Sequence, residues 1–168
     1  MKKITTALLF MLTLALGANA QVFTYGSMDV LSNANYVNLE VDFSKAVIHG
    51  MDEKEFSSYE PDYKKDKPGI VGLIYDYAQR KCSGLIHIGQ YEDAEYTLLC
   101  TINRVSAKGN FECELKLVDS KGKMIAHVEN IKGKGGVFGT KLNLMKDGAE
   151  STGKAIGTLV RDEIRRYL

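Results

Sequence analysis

From Tyr96 to Ile131 the chain alternates apolar and polar residues, and only two short polar turns interrupt the pattern. Tyr96, Leu98, Cys100 and Ile102 fall on one face, with Thr97, Thr101 and Asn103 on the other. Lys108-Gly109 reads as a turn. Phe111, Cys113, Leu115 and Leu117 then alternate with Glu112, Glu114 and Lys116. A second turn, Asp119 to Lys123, leads to a run from Met124 to Ile131. Period-two alternation is the mark of a strand with one buried face. Three such strands joined by short turns form an antiparallel meander, and its apolar face must be covered by something else.

The cover is written on either side of the meander. Val37, Leu39, Val41 and Phe43 alternate with polar residues and predict an earlier strand. Asp52 and Glu55 have the spacing of a capping box, flanked by Met51 and Phe56 as a hydrophobic staple. Pro61 ends this short helix. A second helix is expected from near Pro68, with Ile70, Val71, Leu73, Ile74, Tyr77 and Ala78 on one face and Gly84 at its end. Leu85 to Ile88 predicts a short strand. The last helix is expected from Leu144 or Ala149 to Tyr167, with Met145, Ala149, Ile156, Leu159, Val160, Ile164 and Tyr167 on its apolar face. Gly153 and Gly157 lie four apart on it, a spacing expected where a helix approaches a sheet closely. These elements specify an α/β or α+β fold: a single mixed or antiparallel sheet of about four to five strands, packed against two to three helices including a long carboxy-terminal one. The domain spans residues 36–168, and the Ser-, Asn- and Gly-rich residues 21–35 read as a leader or linker on which Val22, Phe23 and Tyr25 can dock.

Residues 1–20 carry the features of a signal peptide. Lys2 and Lys3 precede an apolar run from Ile4 to Leu16, which closes on Ala18-Asn19-Ala20. Cleavage there starts the chain at Gln21, outside the cytoplasm, in the periplasm or secreted. No cysteine follows the cleavage point to take a lipid. Without Lys2 and Lys3, 20 basic residues face 21 acidic ones, a formal charge of −1. The one basic cluster, Arg161, Arg165 and Arg166, is interrupted by Asp162 and Glu163. That is not the basic stripe of a nucleic-acid reader.

Catalytic and cofactor motifs fail on detail. Gly133 to Lys141 lies between a strand and a helix, as a phosphate loop does. A phosphate loop needs Gly-Lys-Ser/Thr at the helix start, whereas here the order is Phe138-Gly139-Thr140-Lys141. His49, His87 and His127 stand far apart, none in a metal-ligand spacing. Ser27, Ser57 and Ser83 lack a nucleophile elbow. Asp52, Glu53 and Glu55 are accounted for by capping, and Lys64 and Lys65 lie in a charged, solvated stretch. Cys82, Cys100 and Cys113 cannot all pair within one chain. A turn centred on Lys108-Gly109 sets Cys100 opposite Leu117 and Cys113 opposite Arg104. That offset of about 13 Å is too far for a bridge. No catalytic residue, metal site or cofactor is assigned.

Asp93-Ala94-Glu95-Tyr96-Thr97-Leu98, the hairpin Leu117 to Lys123, and the helical Ala155-Ile156-Gly157 together resemble a group of exported bacterial domains. The group comprises the TolB amino-terminal domain, the curli-secretion lipoprotein and the lipoprotein activators of penicillin-binding proteins. The resemblance implies an α/β domain that binds another envelope protein and catalyses nothing. The alternative is a small-ligand binder, or an enzyme whose site forms only on folding. The stretch expected to meet a partner is Gly135, Gly136, Val137 and Phe138. Glycines there give reach, and Phe138 either anchors a partner or tucks under the last helix.

Overall fold

The computed structural model describes residues 21–168; the signal-peptide reading of residues 1–20 lies outside them. The chain forms strand β1 (Val22–Gly26), a 3-10 turn (Asp29–Asn33), β2 (Tyr36–Asp42), β3 (Val47–Ile48), helix α1 (Glu53–Tyr59), α2 (Tyr63–Cys82), β4 (His87–Gly89), β5 (Tyr96–Val105), β6 (Phe111–Asp119), β7 (Met124–Gly133) and α3 (Lys141–Arg165). The architecture is mixed α/β with three helices, the last one long.

The sheet has seven strands, more than the four to five expected from the alternation. Its order is β1-β7-β6-β5-β2-β4, with β3 added beside β5. The additional strands are those with little alternation to show. β3 is two residues long and pairs parallel to β5. β1 comes from the segment read as a leader: it pairs antiparallel with β7, and only Phe23 in it is half-buried. Residues 21–35 are therefore built into the domain, since Met28 and Leu31 are also fully buried. β5, β6, β7 and β1 run antiparallel, whereas β2 and β4 are parallel to β5 and to each other.

The meander is present, but in another register. Cys100 faces Leu115 and Cys113 faces Ile102. The turn spans Ser106 to Asn110, where the Gly109 amide donates to the Ser106 carbonyl oxygen, and a bulge lies between Ile102 and Arg104. The bulge also turns Val105 inward where strict alternation would place Arg104. The two thiols are thus diagonal neighbours, two residues out of register instead of four. Diagonal Cα atoms lie about 7–8 Å apart, beyond the usual disulfide range. All three cysteines are free and buried. The contact with Cys113 and full burial raise the Cys100 thiol well above its ordinary range, and burial pushes Cys82 up to about 11.

Helix α1 starts as its sequence dictates. Asp52 Oδ1 accepts from the Glu55 amide at 2.8 Å, and Glu55 Oε2 accepts from the Asp52 amide at 3.1 Å. The Asp62 N-cap starts α2 five residues before Pro68, which sits inside the helix instead of at its start. β4 is displaced to His87–Gly89, and α3 starts at Lys141, where the Thr140 hydroxyl accepts from the Asn143 amide. Tyr167 lies past the end of α3 and is 53% exposed, so it leaves the apolar face assigned to it.

Gly153 and Gly157 mark a close approach, but to a helix and not to the sheet. A Cβ on Gly153 would fall 2.4 Å from the Ile74 carbonyl oxygen, and one on Gly157 2.3 Å from that of Ala78. Ile70, Ile74, Ala78 and Cys82 form the buried stripe of α2. The glycines of α3 let the two backbones lie against each other along it, and the Cys82 thiol donates to the Gly157 carbonyl at 3.2 Å.

His49 turns the chain between β3 and α1 with a left-handed φ of 54°. Its ring packs 5.0 Å from that of Phe56. Burial, and then Lys141, lower its pKa below the ordinary 6.5, and Glu60 opposes them. The folded state therefore binds fewer protons at His49 than the unfolded chain does. Its contribution to stability is present above about pH 6.5 and is lost as the pH falls. His49→Asn, which tolerates the same φ, is expected to show a smaller fall in Tm between about pH 7.5 and pH 5 than the parent protein. Equal falls in the two proteins would remove His49 from the account.

Candidate functional site

The connection from β7 to α3 is held tightly at its base. A Cβ on Gly133 would fall 2.0 Å from the Thr152 hydroxyl, and one on Gly135 1.9 Å from the Lys108 carbonyl oxygen. A Cβ on Gly136 would meet the Asp147 carboxylate at 2.1 Å. The Lys134 amide donates to Ser151 Oγ and the Gly135 amide to Asn110 Oδ1, both at 2.8 Å. These glycines therefore permit close packing, where the sequence reading assigned them reach. The base is clamped to the β5–β6 turn on one side and to α3 on the other.

Above the clamp, Val137 is 78% exposed and Phe138 89% exposed. Phe138 does not tuck under α3. Gly139 follows with φ 130°, and Thr140 caps the helix. The chain is thus fixed on both sides of a two-residue apolar tip. The Lys141 Nζ donates to the Tyr59 hydroxyl at 3.0 Å and lies 4.5 Å from the centre of that ring. That hydrogen bond holds the Lys141 ammonium above the usual lysine range. Tyr59, 56% exposed, is thereby brought beside the end of the loop. The sequence held no signal for this, because Tyr59 and Lys141 are 82 residues apart.

An open cleft of about 620 Å³ lies elsewhere, between Ser44, α1 and α2. Three of its polar groups satisfy one another, whereas the buried Ser57 hydroxyl has no partner among the described residues. Glu53 accepts from the Tyr63 hydroxyl at 3.0 Å and pairs with Lys67 at 2.5 Å. Burial, followed by the Glu53 charge, raises the Tyr63 phenol far above its ordinary range. Lys54 and Lys64 line the rim.

The three histidines remain apart, but His127 is brought beside two carboxylates, Glu114 and Glu129, that lie outside any local motif. Among the described residues no helix is long and apolar enough to cross a membrane.

No family model matches this chain, and no curated protein does. Among solved structures it is similar to the PelC dodecamer from Paraburkholderia phytofirmans, with a TM-score of 0.47 and 13% identity over 83% of this chain and 98% of that one. A variant of the same PelC dodecamer aligns with a TM-score of 0.44 and 14% identity, with the same coverage.

Proposed function

We propose that this protein is a non-catalytic binding module of the cell envelope, exported from the cytoplasm, which engages a protein partner through Val137 and Phe138. One observation carries the reading: an 89% exposed phenylalanine at the tip of a loop whose base is clamped. Aromatic anchors dominate binding energy at protein interfaces. A loop already fixed in shape loses little further entropy on docking. The Lys2-Lys3, apolar and Ala18-Asn19-Ala20 pattern supports export.

A photo-crosslinking amino acid at position 138 tests this directly. It is expected to yield a discrete adduct with an envelope protein, whereas the same group at exposed Tyr167 yields none. Phe138→Ala is expected to abolish that association while shifting stability by less than about 0.5 kcal/mol. A loss of about 3 kcal/mol instead would mean that Phe138 is a core residue. Unchanged stability with unchanged association would overturn the reading. The second reading is a small-ligand binder, and the cleft beside Glu53 and Lys67 is the observation that favours it.

A further inference from the structure

The face of the sheet opposite the buried side chains carries a second, unrelated constellation. Glu114 on β6 and His127 and Glu129 on β7 each offer a ligand atom, and the three atoms lie within 4.8 Å of one another. The His127 side chain is 15% exposed and that of Glu114 23%.

Two bulges frame this cluster. On β7, Val128 faces Leu115 and Ile131 faces Cys113, so Glu129 and Asn130 together oppose Glu114. Asn130 absorbs the extra residue with a φ of 60°. On β1, Phe23 faces Val128 and Tyr25 faces His127, which leaves Thr24 as the inserted residue. Its Oγ1 lies 3.0 Å from His127 Nδ1 and donates to the His127 carbonyl oxygen at 3.4 Å.

That arrangement orients the ring. Thr24 fixes Nδ1, so that Nε2 is the nitrogen turned toward Glu114. Nε2 lies 3.1 Å from Glu114 Oε2. Once a cation displaces the Nε2 proton, that nitrogen and the carboxylate oxygens turned toward it form a site for positive charge. Lys116 does not fill it, because its Nζ engages the other oxygen, Oε1, at 2.9 Å.

We propose that Glu114, His127 and Glu129 bind one divalent first-row transition metal ion, with water completing its coordination. One imidazole and two carboxylates form a mixed nitrogen–oxygen donor set suited to zinc and its neighbours. Ligand atoms about 2.0–2.2 Å from such an ion lie roughly 3.3 Å apart. The exposed Glu129 side chain closes the remaining gap by rotation. Thr24 is a positioning residue, which holds the ring through the nitrogen that does not meet the metal.

Calorimetric titration of the chain with zinc chloride tests the site. One ion per chain is expected to bind, with a dissociation constant in the micromolar range. His127→Ala and Glu129→Gln are each expected to weaken binding at least about tenfold. Thr24→Val, which removes no ligand, is expected to weaken it by about tenfold while circular dichroism stays unchanged. His87→Ala is expected to bind as the parent does. If His127→Ala fails to fold, the exposed Glu129→Gln decides the matter. No binding at about 100 μM zinc, or parental affinity in Glu129→Gln, overturns the proposal.

Discussion

Gly153→Ala combined with Gly157→Ala is expected to destabilise the domain by about 2–4 kcal/mol, although alanine is the better helix former. Each new methyl would sit within 2.5 Å of a backbone carbonyl oxygen of α2, at Ile74 and Ala78. Backbone cannot turn aside as a side chain does, so α2 and α3 must separate along the stripe they share. Overpacking of this kind costs about 1–3 kcal/mol per site. Improved helix propensity offsets about 1 kcal/mol of that at each. The two sites touch the same helix, so their effects are expected to couple and not simply add. A thermal melt reads the loss as a fall in Tm of roughly 10 °C. A double variant as stable as its parent would mean that the helices already have room to move apart.

Phe56→Ala is expected to cost about 3–5 kcal/mol, the range for deleting a buried phenylalanine. The ring is fully buried at the start of α1. It packs edge-on to Tyr63 at 5.1 Å, against His49 at 5.0 Å and near Tyr59 at 6.5 Å. The substitution therefore leaves a cavity where α1, α2 and the β3–α1 turn meet. A second readout accompanies the first. Burial is the main cause of the lowered pKa of His49. Admitting water beside that ring is expected to return its pKa toward 6.5 and to reduce the loss of stability at acid pH. Chemical denaturation at two pH values measures both effects. A cost below about 1 kcal/mol would show that the site collapses around the smaller residue.

What was legible in the sequence was whatever depends on near neighbours. The alternation in β2, β5 and β6, the Asp52–Glu55 capping box, the Pro61 stop and the apolar face of α3 are all periodic or local signals. β1 was not legible, because an edge strand with one half-buried residue shows almost no alternation. The hairpin register was missed because the turn centres on Lys108, which shifts the pairing by one residue, and a bulge near Ile102 shifts it by one more. The glycines at 133, 135 and 136 were recognisable as a loop. Whether they gave freedom or close contact depended on Lys108, Asp147 and Thr152, which only folding brings near. Glu114 and His127 were unremarkable on paired strands until the bulge in β7 decided which side chains meet.

The pairing of β1 with β7 also sets an order of events during synthesis. Val22 meets Glu129, so the first strand to leave the ribosome must wait for a partner made about one hundred residues later. At about 5–20 residues per second that wait lasts from roughly five to twenty seconds. Through it, β1 has no partner strand of its own chain to join. Thr24 reaches His127 only at that last closure. The nascent chain thus stays incomplete, with its amino-terminal segment unpaired, until β7 has emerged.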